Sequence, residues 1–255
     1  MGHAGTLDPF ASGLLVVLIG RATRLSQYLV GLRKSYTGRI RLGVETETDD
    51  LTGAETGTSE AWREIETDAI EQSMALLTGR IVQHPPVYSA KKSEGERAYR
   101  LARRGEAVAL DATEVDVEAF TLVSREGSAI DFQAEVGSGT YIRALARDLG
   151  AALGCGAHLE ELRRTAVGHF RVEDAVGPDA LGAHESPIHP AVDAVRHLPV
   201  HDLATDECDA VRHGRPISAP RWDENPVALV FEGQLIAIAE RQGDVLKPRV
   251  VLVDG

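Results

Sequence analysis

Cysteine is scarce in this chain. Its two thiols, Cys155 and Cys208, stand far apart with no C-x-x-C spacing. Neither a disulfide framework nor a zinc ribbon is indicated, and such usage suits a reducing cytoplasm. No run approaches the ~18 apolar residues of a membrane-spanning helix. The apolar run at residues 14–20 follows Asp8 rather than a basic segment, which argues against a signal peptide. The opening Met-Gly-His-Ala-Gly-Thr fits the N-myristoylation pattern, but burying this glycine-rich loop in a site would compete with it. His184, His189, His197 and His201 cluster loosely with no cysteine or carboxylate to complete a zinc pattern, so no metal is expected. Gly137 and Gly139 begin a G-x-G-x-x-G motif, but position 142 is Ile, and a dinucleotide site is not expected.

A positive total is also lacking. Against 27 Lys and Arg stand 39 Asp and Glu, a net charge of −12 that taken whole argues against nucleic acid. The distribution says otherwise. Up to Gly43 the charged residues are Arg21, Arg24, Arg33, Lys34, Arg39 and Arg41 against Asp8 alone, and residues 44–75 then form an acidic block. The basic excess returns at Lys91, Lys92, Arg97, Arg100, Arg103 and Arg104, opposed by Glu94 and Glu96. Phosphate contacts need a local positive face, not a positive total.

With 255 residues, 43% hydrophobic and 26% charged, the chain can form one large domain or two smaller ones. It opens on Gly-His-Ala-Gly-Thr-Leu-Asp-Pro-Phe-Ala-Ser-Gly, residues 2–13. Glycines let the backbone turn or approach a ligand closely, and Pro9 pushes Asp8 out of the helical region. The apolar run at 14–20 is of strand length and would bury itself behind the loop. Asp8 is thus either a catalytic carboxylate on a supported loop or the start of an Asx-turn ahead of a proline.

Further on, residues 22–30 read as a short helix with Leu25, Tyr28 and Leu29 on one face and Gly31 as its cap. Residues 34–43 alternate as a strand with one wet face, placing Tyr36, Gly38, Ile40 and Leu42 together. Residues 68–79 read as an amphipathic helix with Asp68 as N-cap and Gly79 as stop. Thr113 to Ser124 and Ile130 to Val136 make a hairpin around Arg-Glu-Gly. From Tyr141 a helix is written by Ile142, Leu145, Ala146, Leu149 and Leu153, with Gly154 ending it. After Arg171 prolines and glycines mark a connection. From about His201 short strands at Val227 to Phe231, Leu235 to Ala239 and Leu246 to Val253 predict a small β-rich domain.

These segments together resemble the TruB-type tRNA pseudouridine synthases. Residues 2–13 match the family motif G-H-x-G-T-L-D-P-x-A-x-G at every fixed position. Lys-Ser-Tyr at 34–36, Gly-Val-Glu-Thr-Glu-Thr-Asp-Asp-Leu-Thr-Gly at 43–53, the segment from Gln83 to Gly105, Gly-Thr-Tyr-Ile-Arg at 139–143 and the element from Leu153 to Phe170 resemble further family motifs. The resemblance implies an α+β fold, with a mixed, mainly antiparallel catalytic sheet over residues 1–180. It also implies a linker at 181–200 and a PUA-like β-rich domain at 201–255. Such proteins carry a few dozen residues upstream of the motif, including a lysine-proline-glycine-threonine-serine loop, so the natural protein is expected to be longer.

The same resemblance implies roles. Asp8 is the catalytic aspartate, acting as nucleophile or as base at the sugar; Arg143 pairs with it; Tyr36 stacks on the base and helps remove the C5 proton. Leu162 lies near the pocket, His3 contacts the rearranged loop, and Thr46, Asp50 and Tyr141 face the substrate. A solvated acidic loop around Asp50 and an ordinary core tyrosine at position 36 are the plainer readings. Residues 83–105 match a thumb that closes on RNA, with Tyr88, Lys91, Lys92 and Arg97 as contacts; aromatics interleaved with cations can stack bases and neutralise phosphate. The activity implied is isomerisation of uridine to pseudouridine in the T loop of tRNA, position 55, by a cytoplasmic monomer without cofactor, metal or membrane. Two other classes stay open: a non-catalytic RNA-binding or tRNA-folding protein, and a synthase subunit that works with a guide RNA.

Overall fold

The alternation at 34–43 is realised as the strand Lys34–Leu42, the centre of a mixed sheet. In this computed structural model residues 1–88, 92–93, 96–97, 110–180, 188–221 and 223–252 are described, with 92–93 and 96–97 through their backbone alone. The chain divides into two units: Leu7–Leu14 with Leu32–Glu173, and Met1–Thr6 with Leu15–Gly31 and Asp174–Gly255.

In the first unit the strand order is Phe170–Arg171, Ala157–Val167, Lys34–Leu42, Ala129–Val136, Thr113–Glu126, Gly79–Gln83, with Ser12–Gly13 added in parallel to Ala157–Val167. Every other pairing along this path is antiparallel. The predicted hairpin runs from Thr113–Glu126 into Ala129–Val136. Gly127 turns it at φ +60°.

Ile40, Leu42, Phe120, Ile130, Phe132, Leu159 and Leu162 from the strands meet Ile70 and Met74 of the helix Thr67–Leu76 and Leu145 and Leu149 of the helix Ile142–Ala152. Phe120 and Phe132 meet edge to face at 5.5 Å and 79°, and each fully buried leucine contributes about 1.5–3 kcal/mol. The helix Ile142–Ala152 buries the predicted Ile142, Leu145, Ala146 and Leu149 and gives way at Gly154, φ +71°.

Three expectations are corrected. The run at 14–20 is not one buried strand: Leu14 and Leu18 are buried but Leu15, Val17 and Ile19 are exposed. Pairing with Ala157–Val167 ends at Gly13, and Val17–Leu18 pairs instead with Gly2–His3. The helix Thr67–Leu76 takes Glu66, not Asp68, as its N-cap residue, with no side-chain cap. Residues 22–30 split into a 3₁₀ turn, Gly20–Leu25, and a short α-helix, Ser26–Val30, and Gly31 keeps φ −70° rather than a left-handed cap.

In the second unit the strand order is Val200–Asp202, Val227–Phe231, Gln234–Gln242, Val245–Val251, Ile217–Ser218. The three predicted strands are present, the second and third with shifted ends. The helix Thr205–Arg212 buries Cys208 and Val211 with Leu229, Ile236 and Leu246, and the Glu207 carboxylate caps it by accepting the Ala204 N–H at 3.0 Å. Among the described residues no helix is long and apolar enough to cross a membrane.

Candidate active site

The loop that carries Asp8 is fixed at both ends of its turn. The Ala11 N–H bonds the Asp8 carbonyl at 2.9 Å, and the Leu14 N–H bonds the Arg164 carbonyl at 2.8 Å. Between them Gly13 has φ +101°, and a Cβ there would stand 2.2 Å from the Arg164 carbonyl oxygen. No other residue type allows that approach.

The Asp8 carboxylate meets Arg143, the second residue of the helix Ile142–Ala152. Nε donates to Oδ2 at 3.1 Å and Nη2 to Oδ1 at 3.0 Å, a two-pronged pairing. The guanidinium is locked behind this contact. Nη1 donates to the Thr48 carbonyl and Nη2 to the Tyr88 carbonyl, each at 3.0 Å, while Nη1 pairs with Asp50 Oδ2 at 3.3 Å. The Arg143 side chain is 5% exposed and that of Asp8 31%, so the cation is sealed while the carboxylate opens to solvent. Each Asp8 oxygen keeps a further lone pair for a ligand.

The helix end that presents Arg143 is itself pinned. Gln83, almost fully buried, donates from Nε2 to the Tyr141 carbonyl at 3.1 Å and accepts the Tyr141 N–H at 2.8 Å. Tyr141 is the residue that precedes the helix.

Asp50 is buried, and its Oδ1 accepts from Thr48 Oγ1 at 2.7 Å, the Thr52 N–H at 2.9 Å and Thr52 Oγ1 at 2.5 Å. Thr46, buried beside it, donates to the Asp50 carbonyl at 2.7 Å. The acidic loop therefore turns its carboxylate inward, toward Arg143. Asp49 takes the strained φ of +59° and pairs with Arg147 at 3.0 Å. Burial pushes the Asp49 carboxyl up, against the pull of Arg147 and Arg143.

Tyr36 stands on the central strand opposite Arg164. Burial raises its phenol; the charge and hydrogen bond of Arg164 oppose that rise, and Asp8 adds to it. Two residues along each strand, Leu162 faces Gly38 and is buried in the core.

Asp8, Tyr36, Arg143, Asp50, Thr46, Tyr141, Leu162 and the Tyr88 backbone thus all belong to the first unit, whereas His3, exposed and paired with Val17, belongs to the second. Lys91 lies outside the described residues, as do the side chains of Lys92 and Arg97, whose backbones pair with each other. Among the described residues no group of His, Cys, Asp or Glu is arranged to hold a metal ion.

Sequence reasoning missed Gln83 and Arg164. Arg164 had a legible signal, since it occupies an inward slot between Leu162 and Ala166 on an alternating strand. Gln83 opens the segment that precedes the two prolines, but only the fold shows what it bonds.

The family model described as TruB family pseudouridylate synthase (N terminal domain) matches residues 1–142, and that for the tRNA pseudouridylate synthase B C-terminal domain matches residues 143–190. The chain is similar to the tRNA pseudouridine synthase B of Thermobifida fusca, 46% identical over 98% of this chain and 88% of the relative. It is likewise similar to the protein of that name from Aquifex aeolicus, 38% identical over 99% of this chain and 89% of the relative. Among solved structures it is similar to a chain of an H/ACA RNP bound to a substrate RNA containing 2′-deoxyuridine, with TM-score 0.73 and 25% identity, covering 99% of this chain and 76% of that one. A chain of a Cbf5-Nop10-Gar1 complex gives TM-score 0.71 at 26% identity, with the same coverage.

Proposed function

The chain belongs to the TruB family of pseudouridylate synthases, and from that premise we propose that it isomerises uridine to pseudouridine at position 55, in the T loop of tRNA. The observation that carries this reading is the Asp8 carboxylate, gripped on both oxygens by a buried arginine yet open to solvent.

The isomerisation breaks the N1–C1′ bond, turns the base and joins C5 to C1′; C5 loses a proton and N1 gains one, so nothing is added or removed overall. Asp8 acts at the ribose, as nucleophile or as base. Arg143 grips both of its oxygens and fixes its direction. Asp50 and Gln83 act behind Arg143, the first as its second counter-ion and the second through the end of the helix. Tyr36 stacks on the base and helps remove the C5 proton. Leu162 borders the pocket and Tyr141 faces the substrate, while Thr46 supports the Asp50 loop from within.

The target base must leave its stack, at a cost of a few kcal/mol. Contacts from residues 83–105, Tyr88, Lys91, Lys92 and Arg97 among them, offset this by engaging phosphates and bases of the T stem-loop. His3 contacts the rearranged loop. The enzyme works as a cytoplasmic monomer.

The test is tritium release from a T stem-loop carrying C5-labelled uridine, with no guide RNA or second protein added. Release, with pseudouridine at the expected nucleotide, is the predicted result. Binding without release overturns the reading in favour of an RNA-binding protein. Release only after a guide RNA and partner proteins are added overturns it in favour of a guided subunit, a class favoured here only by similarity at 25–26% identity.

A further inference from the structure

Arg164 is the largest of the fully buried side chains among the described residues, 1% exposed, and the reaction above makes no use of it. Its main chain and its guanidinium hold one partner from two sides. The Arg164 carbonyl accepts the Leu14 N–H at 2.8 Å, and its Nε donates to the Leu14 carbonyl at 2.8 Å. Leu14 ends the loop that carries Asp8, and Ser12–Gly13 run in parallel register with Arg163 and Arg164. On the other edge of the same strand Arg164 faces Tyr36 directly, where opposed side chains of an antiparallel pair share a face. Its guanidinium acts on the Tyr36 phenol from across the strand pair, opposing the rise that burial imposes. Immediately beyond, the register shifts between Arg164 and Ala166. Bulges of this kind re-aim side chains beside active sites.

We infer that Arg164 is a positioning residue that ties the Asp8 loop to Tyr36 and aims the phenol oxygen at C5 of the target base; the inference rests on the pseudouridine synthase reading. An arginine only donates. Toward the phenol oxygen it therefore acts as a donor alone, which leaves the oxygen's remaining lone pair for the base. The same cation lowers the cost of the phenolate that receives the C5 proton. The other groups facing Tyr36 are the Asp8 carboxylate, which opposes that ionisation, and the apolar Ala134 on the strand at its other side. Lys34, two residues away on its own strand, feels the same arginine.

The experiment compares Arg164→Lys and Arg164→Met, each alone and combined with Tyr36→Phe. The Tyr36 phenol is titrated in the folded protein by difference absorbance, with Tyr36→Phe as the blank. Single-turnover tritium release is followed against pH beside RNA affinity. Arg164→Met is expected to move the phenol titration to higher pH and Arg164→Lys to move it less. The rate falls on the order of 10²-fold, as for a misaligned reacting group. Its rising limb shifts upward while affinity stays within about twofold, and in the Tyr36→Phe background the Arg164 substitutions cost about twofold or less. Should Arg164→Met unfold, Arg164→Lys carries the test through the rate, whose loss must still depend on Tyr36. An unmoved phenol titration, or an equal rate loss with and without Tyr36, overturns the inference. A phenol titration that depends on Arg164 in a protein that releases no tritium sinks the enzymatic reading and leaves the coupling standing.

Discussion

Replacing Asp8 with asparagine separates chemistry from architecture at the centre of the site. Arg143 faces two carboxylates, Asp8 at 3.0 Å and Asp50 at 3.3 Å. With all three ionised the cluster carries one excess negative charge. Asp8→Asn removes that excess and leaves the buried cation paired with Asp50, which is itself held by three further donors. The amide retains one oxygen to accept from Arg143. What is lost is one charge-assisted hydrogen bond, generally worth about 1.5–3 kcal/mol. With the Asp8 side chain 31% exposed and carboxylate repulsion relieved, the net loss should fall below that range, at about 1 kcal/mol. For a protein of this size that is roughly 2–4 °C in Tm. In the role proposed for Asp8 the reaction, by contrast, loses the group that acts on the ribose, and removal of a central catalytic group typically costs on the order of 10⁴-fold or more. Three measurements suffice: single-turnover tritium release, filter binding of the T stem-loop, and thermal unfolding. Pseudouridine formation at a percent or more of the unsubstituted rate would refute the assignment of Asp8. A loss of RNA binding that tracks a large drop in Tm would refute the reasoning about the cluster.

Arg143→Met should behave oppositely, because it strands Asp50, 4% exposed, without its cation. Breaking a buried pair costs about 3–5 kcal/mol, so a denaturation midpoint close to that of the unsubstituted protein would contradict the geometry. Gly13→Ala forces a Cβ to 2.2 Å from the Arg164 carbonyl at φ +101°. A loss of at least about 2 kcal/mol is expected, with slower turnover as the Asp8 loop shifts; an unchanged Tm would show that the loop relaxes freely. Lys34 supplies a pH signature: burial, and secondarily Arg164, lower its ammonium from 10.5 to about 8. The unfolded chain keeps that proton to higher pH than the folded one, so this group makes stability climb between about pH 8 and 10.5. Urea denaturation across this window should show the climb in the unsubstituted protein and a flatter profile in Lys34→Met; identical slopes would refute it.

Much of this architecture was legible because it is local. Apolar spacing of three and four residues marks the helix Ile142–Ala152, strict alternation marks Lys34–Leu42, and a glycine after a charged pair marks the hairpin between Thr113–Glu126 and Ala129–Val136. The Asp8 loop was legible from Gly and Pro chemistry and from a twelve-residue match to a family motif. The register at 14–20 was not. An apolar run says that residues want burial, but not where one strand partner ends and another begins.

The sequence by itself determined which residues could carry the chemistry, because carboxylate, guanidinium and phenol are properties of side chains and a motif lists them in order. Only the tertiary structure decided how they are used. Asp8 and Arg143 meet across 135 positions, Asp50 turns inward to become a counter-ion, and Arg164 bonds Leu14 on one edge while facing Tyr36 on the other. The reason is that periodicity assigns a residue to a face, whereas the partner it finds there depends on strand register and on segments remote in the chain. An inward-facing charge is stable only where those segments deliver its hydrogen bonds.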